Sequence, residues 1–198
     1  ARNQSLLDLM AEAGCRFALI GFESLDRANL IQMKKRWNNV AGSYLDVVKS
    51  LHARNIGLYG TFVFGYDNDT PDTIRRALDF ALEARLELAN FNPLTPTPGS
   101  GLYERLRDEG RLLRPTWWRD GDYRYGDPIF EPARIGATQL TDACFEAKRD
   151  FYAWGDIARR TVGRDRPFTW FTAVNTLIAN LISRREVYRK QGKALGAM

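Results

Sequence analysis

The chain has 198 residues, of which 44% are hydrophobic and 27% charged, the composition of a globular protein and not of a disordered one. Two cysteines far apart in sequence, Cys15 and Cys144, and one histidine, His52, exclude a disulfide scaffold and a zinc or iron–sulfur centre built from these residues. No apolar run reaches the roughly 18–20 residues of a membrane span, and the N-terminus does not read as a signal peptide, so the expected setting is the reducing cytoplasm.

The net charge of +5 is unevenly placed. From Arg159 onward there are nine Lys/Arg and two acids, so that stretch is +7 and the rest is −2. A basic end suits an anionic neighbour such as a membrane surface, nucleic acid or another domain. A solvated helical face accounts for it equally well.

In chain order, residues 4–13 read as a helix with Leu6, Leu7, Met10 and Ala13 on one side and Gly14 as its stop. The apolar run 17–22 reads as a strand buried on both faces, ending in Glu23 and Ser24. A helix over 26–33 leads to the basic cluster Lys34, Lys35, Arg36. A further helix over 43–54 carries Tyr44, Val47, Val48 and Leu51 at helical spacing. Residues 58–64 form the second strand, closed by Gly65. Thr70 and Pro71 then start a helix that runs to about 85. Residues 86–92 form the third strand. Such strand–helix alternation predicts a parallel sheet joined by helical crossovers.

After Gly99 the character changes. A short helix is expected over 102–109, an aromatic and turn-rich stretch over 114–127, and a short strand at Ile129-Phe130. One long helix over 137–160 would place Leu140, Cys144, Ala147, Phe151, Trp154 and Ile157 on one stripe. Residues 164–167 break it, and a last helix runs over 168–190, apolar first and basic at its end. The division expected is 1–132, an α/β unit, and 133–198, a helical C-terminal region.

Ligands of parallel α/β sheets bind at the carboxyl ends of the strands. Three segments sit there: 21–24, 62–70 and 90–99. Glu23 and Ser24 offer a carboxylate and a hydroxyl that can hold a ribose diol or an ammonium group. Gly65 lets the backbone approach a planar ligand.

These segments, in this order and spacing, resemble the second half of a radical S-adenosylmethionine enzyme. Gly21-Phe-Glu-Ser-Leu-Asp26 is similar to the end of the family's fourth barrel strand, 60–70 to its fifth strand and turn, and 92–103 to its sixth strand and exit. Within the family the chain looks most like the cobalamin-binding group of hopanoid methylases and anaerobic magnesium-protoporphyrin cyclases, which Gly110-Arg-Leu-Leu113, Trp118 and Phe130-Glu-Pro132 also resemble. The resemblance implies the last three parallel strands of a TIM-type (β/α) barrel, followed by a helical subdomain. It implies that Glu23 and Ser24 hold the ribose or methionine end of S-adenosylmethionine, that Lys35 reaches its carboxylate, and that Val63, Phe64 and Gly65 line the adenine beside Asn92, Pro93 and Leu94. It also implies a [4Fe–4S] cluster, cobalamin, and a large apolar or tetrapyrrole-like substrate undergoing radical methylation or related chemistry.

The family holds its cluster with a C-x3-C-x2-C triplet, which this sequence lacks. The chain therefore reads as a C-terminal fragment or a degenerate relative, inactive alone, whose partners are the missing barrel half and cobalamin domain and a small-molecule or lipid-like substrate. Peripheral membrane contact through 168–190 is an expectation from Trp170, Phe171 and the flanking arginines. Nucleic acid is not expected, for lack of aromatic and basic residues interleaved on a strand. The alternative to the enzyme reading is a catalytically silent interaction module, or a basic membrane-surface or nucleic-acid binder.

Other candidates carry plainer readings. Asp67 and Asp69 could pair on a metal, but Asx-turns ahead of a helix start explain them better. His52 sits on a crossover helix away from the strand tips. Cys15 and Cys144 read as small apolar residues. Trp117, Trp118, Tyr123 and Tyr125 form either a lid over a flat substrate or the packing of a seam.

Overall fold

A computed structural model describes residues 3–35, 44–162 and 170–194. Arg36, the first residue of the 43–54 helix, the 164–167 break and the start of the last helix lie outside the described residues, as does the side chain of Phe171.

The elements run α1 (Gln4–Glu12), β1 (Phe17–Glu23), α2 (Arg27–Gln32), α3 (Tyr44–His52), β2 (Gly57–Phe64), α4 (Pro71–Glu83) and β3 (Leu88–Pro93), then α5 (Gly101–Asp108), α6 (Ala137–Phe151), α7 (Trp154–Val162) and α8 (Trp170–Lys190). The strands form one parallel sheet in the order β1-β2-β3, an open α/β arrangement.

Strand alternation sorts the sheet into two faces. On one, Phe22, Phe62 and Phe91 stack across all three strands at ring centroid separations of 5.4 and 5.3 Å. Tyr44 of α3 and Phe80 of α4 meet Phe22 edge-on, both at 5.3 Å. Phe151 of α6 closes the row against Phe91 at 5.9 Å. The three stacked rings and Phe151 are buried, and each contributes about 1.5–3 kcal/mol. This buried cluster includes Leu140, Cys144 and Ala147 of α6, so it runs across residue 132.

The other face carries Leu19, Tyr59 and Leu88 in one cross-strand row and Gly21, Thr61 and Asn90 in the next, with Val63 beside Asn92. This face corrects the expectation for the first strand. Phe17 is 45% and Leu19 65% exposed, because β1 is an edge with no further strand or helix over these side chains among the described residues.

The single long helix expected over 137–160 is also corrected. It breaks after Phe151, where Tyr152 leaves helical geometry. The break turns the Tyr152 hydroxyl onto β3, where it donates to the Ala89 carbonyl at 3.0 Å and lies 3.3 Å from the Ala89 N–H. Trp154, expected on the buried stripe, is 62% exposed, while Ile157 swings back into the core. On α8, Val174, Leu177, Ile178, Leu181 and Ile182 recur at helical spacing and are exposed. Among the described residues no helix is long and apolar enough to cross a membrane.

At the N-terminal ends of β2 and β3, His52 Nε2 lies 3.3 Å from Glu87 Oε2, which also accepts from the Leu58 N–H at 2.5 Å. The histidine thus ties the sheet together at the end opposite the strand tips.

Candidate functional site

β1 ends in a tight reversal. Glu23 has φ +64, and the Ser24 N–H closes onto the Phe22 carbonyl at 2.8 Å. That is a γ-turn of the positive-φ kind, rare and strained for a residue with a side chain. It folds the Glu23 carboxylate back over β1. A Cβ added to Gly21 would stand 2.6 Å from Glu23 Oε1. Lys35, one residue past the turn that ends α2, donates to the same oxygen. Glu23 also lies toward the end of β2, since its charge adds to burial in raising the pKa of Tyr66. Ser24 is buried, and its hydroxyl accepts from the Asp26 N–H at 3.0 Å. Asp26 in turn caps α2 by accepting from the Asn29 N–H.

The turn after β2 is organised by Asp69. It is fully buried and accepts from the Gly65 and Tyr66 N–H groups at 2.8 and 3.0 Å, from Asn29 Nδ2 at 2.7 Å and from Thr73 Oγ1 at 3.0 Å. Burial pushes its pKa up, partly offset by the bonds from Gly65, Thr73 and Tyr66. Asn29 returns a bond, accepting from the Asn68 N–H. Asp67 points elsewhere, to Arg105 Nη1 at 2.6 Å and Arg111 Nη1 at 3.2 Å, and to Gln32. The two aspartates therefore serve different partners and do not form a metal pair. No group of His, Cys, Asp and Glu suited to a metal ion occurs among the described residues.

Gly65 has φ +116, and a Cβ there would stand 2.7 Å from Phe130 Cζ and 3.0 Å from Leu140 Cδ2. The space its missing side chain leaves is filled by the protein's own core. Gly65→Ala combines a left-handed backbone with overpacking and is expected to cost about 2–4 kcal/mol. Denaturant unfolding should show a lower midpoint at unchanged slope, and an unchanged midpoint would remove the steric argument. Phe64 buries its ring and offers the tip only its backbone, whose carbonyl accepts from the Leu94 N–H at 2.7 Å. Val63 and Asn92 are half-buried cross-strand partners on the open face. The three tips thus bring Glu23 with Lys35, Val63 with Asn92, and Gly65 with Leu94 to one end of the sheet.

No family model matches the chain. It is 32% identical, over 86% of its length, to bacteriochlorophyllide d C-12(1)-methyltransferase of Chlorobaculum tepidum, covering 36% of that protein. It is 30% identical over 57% of its length to hopanoid C-2 methylase of Rhodopseudomonas palustris, covering 21%. It is 24% identical over 76% of its length to the anaerobic magnesium-protoporphyrin IX monomethyl ester cyclase of Cereibacter sphaeroides, covering 24%. The chain belongs to the radical S-adenosylmethionine family, in the group of these methylases and cyclases. It spans between about a fifth and two fifths of the length of the curated relatives it matches.

Radical S-adenosylmethionine enzymes need a cluster and its cofactor, and the donors here fit them unequally. Cys15 is half-buried with its thiol 3.6 Å from the Phe17 carbonyl, at the start of β1 and away from the tips. Cys144 is buried, and loss of solvent pushes its thiol up to about 12. Cys144 is therefore a poor thiolate donor, and Cys15 lies away from the tips, so a [4Fe–4S] cluster does not fit the residues of this chain. The charge pair at the strand tips fits the cofactor better. An ammonium and a carboxylate on one carbon, as in the methionine end of S-adenosylmethionine, match Glu23 and Lys35 charge for charge.

Beside the outer edge of β3 lies a cavity of about 320 Å³, lined by Asn90, Asn92, Tyr123, Tyr125 and residues of α6 that include Lys148. Trp117 stands between Trp118 and Tyr123, at 5.9 and 5.5 Å. Tyr123 is buried and Tyr125 partly open. Sequence reasoning missed Lys148, Asn29 and the role of Asp69. Lys148 had a signal, because it follows Cys144 by four residues and precedes Phe151 by three on the apolar stripe. Asn29 had none, because its partner Asp69 is 40 positions away.

Proposed function

We propose that this chain forms part of an S-adenosylmethionine-dependent radical methyltransferase acting on a large, flat, tetrapyrrole-like substrate. The observation that carries the reading is the Glu23–Lys35 pair, held by a strained turn at the strand tips of a chain in this family. When reductively cleaved, S-adenosylmethionine supplies the radical that begins such chemistry.

The residues of this chain bind and orient. The Glu23 carboxylate accepts from the cofactor's ammonium or ribose hydroxyls, and Lys35 turns to its carboxylate. Ser24 stays in its turn and fixes the backbone of Glu23. Val63 and the 64–65 backbone meet the adenine, with Asn92, Pro93 and Leu94 closing the far side. Prior pairing of Glu23 with Lys35 keeps both side chains near their bound positions, which lowers the entropy lost on binding. The cluster, and cobalamin where the full protein uses it, would be held by residues outside this chain.

Full-length protein, reconstituted anaerobically with iron and sulfide and then reduced, is expected to cleave S-adenosylmethionine and to methylate a bacteriochlorophyllide-type acceptor. The 198-residue chain alone is expected to take up no cluster, having too few thiolates in reach of one another. Absence of reductive cleavage in the full protein overturns the reading. A stoichiometric cluster in the isolated chain overturns the division of labour.

A further inference from the structure

Lys148 is a buried charge that the cofactor site does not use. It lies on α6, 9% exposed, and lines the 320 Å³ cavity beside β3. Among the described residues no carboxylate lies within ion-pair distance of it. Its polar partner is the Tyr125 hydroxyl, 3.4 Å away, and the ammonium stands 5.7 Å from the centre of the same ring. An ammonium brings three donors, and a buried one without a counter-charge is costly. The cavity holds further polar groups at Asn90, Asn92 and Thr141, while Tyr123, Phe130 and Leu140 supply apolar wall.

The acids near this cavity are committed elsewhere. Asp127 lines it but accepts from the Arg124 N–H at 2.8 Å and lies 3.7 Å from Arg114. Glu186, in the adjoining hollow, pairs with Arg189 and Lys190. The cavity therefore offers one uncompensated positive charge. A singly charged carboxylate neutralises it. A phosphate dianion would leave excess negative charge beside Asp127.

We propose that this cavity binds a carboxylate of a flat, largely apolar substrate, with the Lys148 ammonium as counter-charge and the Tyr125 hydroxyl as a second donor. The inference rests on the reading above that such a substrate reaches this face. The volume suits a carboxylate-bearing side chain or one edge of a larger ring system. Asn90 and Asn92 belong to the strand whose tip joins the proposed cofactor site, so a substrate anchored here lies alongside that site.

The test is titration of the full-length protein with protoporphyrin IX as the free acid and as its dimethyl ester, with S-adenosylmethionine titrated in parallel. The wild type is expected to prefer the acid by about ten- to a hundredfold, the range of a charge-assisted bond. Lys148→Met should reduce that preference to within about twofold and leave S-adenosylmethionine affinity unchanged. Lys148→Arg should keep most of it. Tyr125→Phe, at a partly exposed position where folding is safe, should weaken it severalfold. Equal binding of acid and ester by the wild type, full preference in Lys148→Met, or no binding of either porphyrin overturns the proposal. Failure to bind S-adenosylmethionine with the acid preference intact would sink the cofactor reading alone.

Discussion

Glu23→Gln in the full-length protein is expected to weaken S-adenosylmethionine binding by roughly 10- to 150-fold, the loss of about 1.5–3 kcal/mol of charge-assisted bonding. The stability cost should be much smaller. The Glu23–Lys35 pair is partly open to solvent, with side chains 19% and 36% exposed, and such pairs contribute about 1 kcal/mol or less. A binding loss that exceeds the stability loss separates a ligand contact from a structural cap. Glu23→Gly sharpens the contrast, because glycine relieves the strain of φ +64 while removing the carboxylate. It should keep or raise the melting temperature and still lose affinity. Lys35→Met should also weaken binding, and the double variant should lose less than the sum, since both act on one bound zwitterion. Isothermal titration with the cofactor, beside thermal unfolding of each variant, decides the matter. Unchanged affinity in Glu23→Gln would leave Glu23 as a turn residue only.

The parallel order of the strands and the place where their tips converge were legible in the sequence. Strand runs separated by capped helices leave few other topologies, and Thr70-Pro71 marked a helix start directly. The exposure of β1 was not legible. Phe17, Leu19 and Phe22 read alike as apolar residues, and only the sheet order shows that Leu19 lies on an open face while Phe22 is stacked. The break after Phe151 was hidden for a similar reason. Tyr152-Ala-Trp154 has no glycine or proline, and the geometry there is set by a hydroxyl reaching Ala89, 63 positions away. Gly65 was legible as a special position, but its neighbour was not, since Phe130 and Leu140 arrive from far along the chain. Residue types at the tips could be read locally. The contacts that orient them are long-range.

Asp69→Ala is expected to destabilise the protein by about 3–5 kcal/mol, because it strips the acceptor from two backbone N–H groups, the Asn29 amide and a share of the Thr73 hydroxyl in a buried turn. Asp69→Asn should cost less, since one acceptor oxygen and the side-chain volume remain. The two variants also differ from the wild type in pH response. Burial raises the folded pKa of Asp69 above its ordinary value of 3.8, so the folded state holds the proton more tightly than the unfolded chain does. The stability gained from that proton is fully present below about 3.8 and is lost as pH rises through the folded value. The gap between wild type and Asp69→Asn should therefore widen as pH falls from neutrality, read by urea unfolding at several pH values. A gap that narrows on acidification would mean that Asp69 is held as a strongly favoured carboxylate, its four donors outweighing its burial. The consequence for the site follows from position. Asp69 fixes Gly65 and Tyr66 and, through Asn29, the helix that leads to Lys35, so its loss should loosen the β2 tip and the Lys35 arm together. Asp69→Asn that folds at low temperature should then bind S-adenosylmethionine more weakly, although Asp69 itself is buried behind the tips.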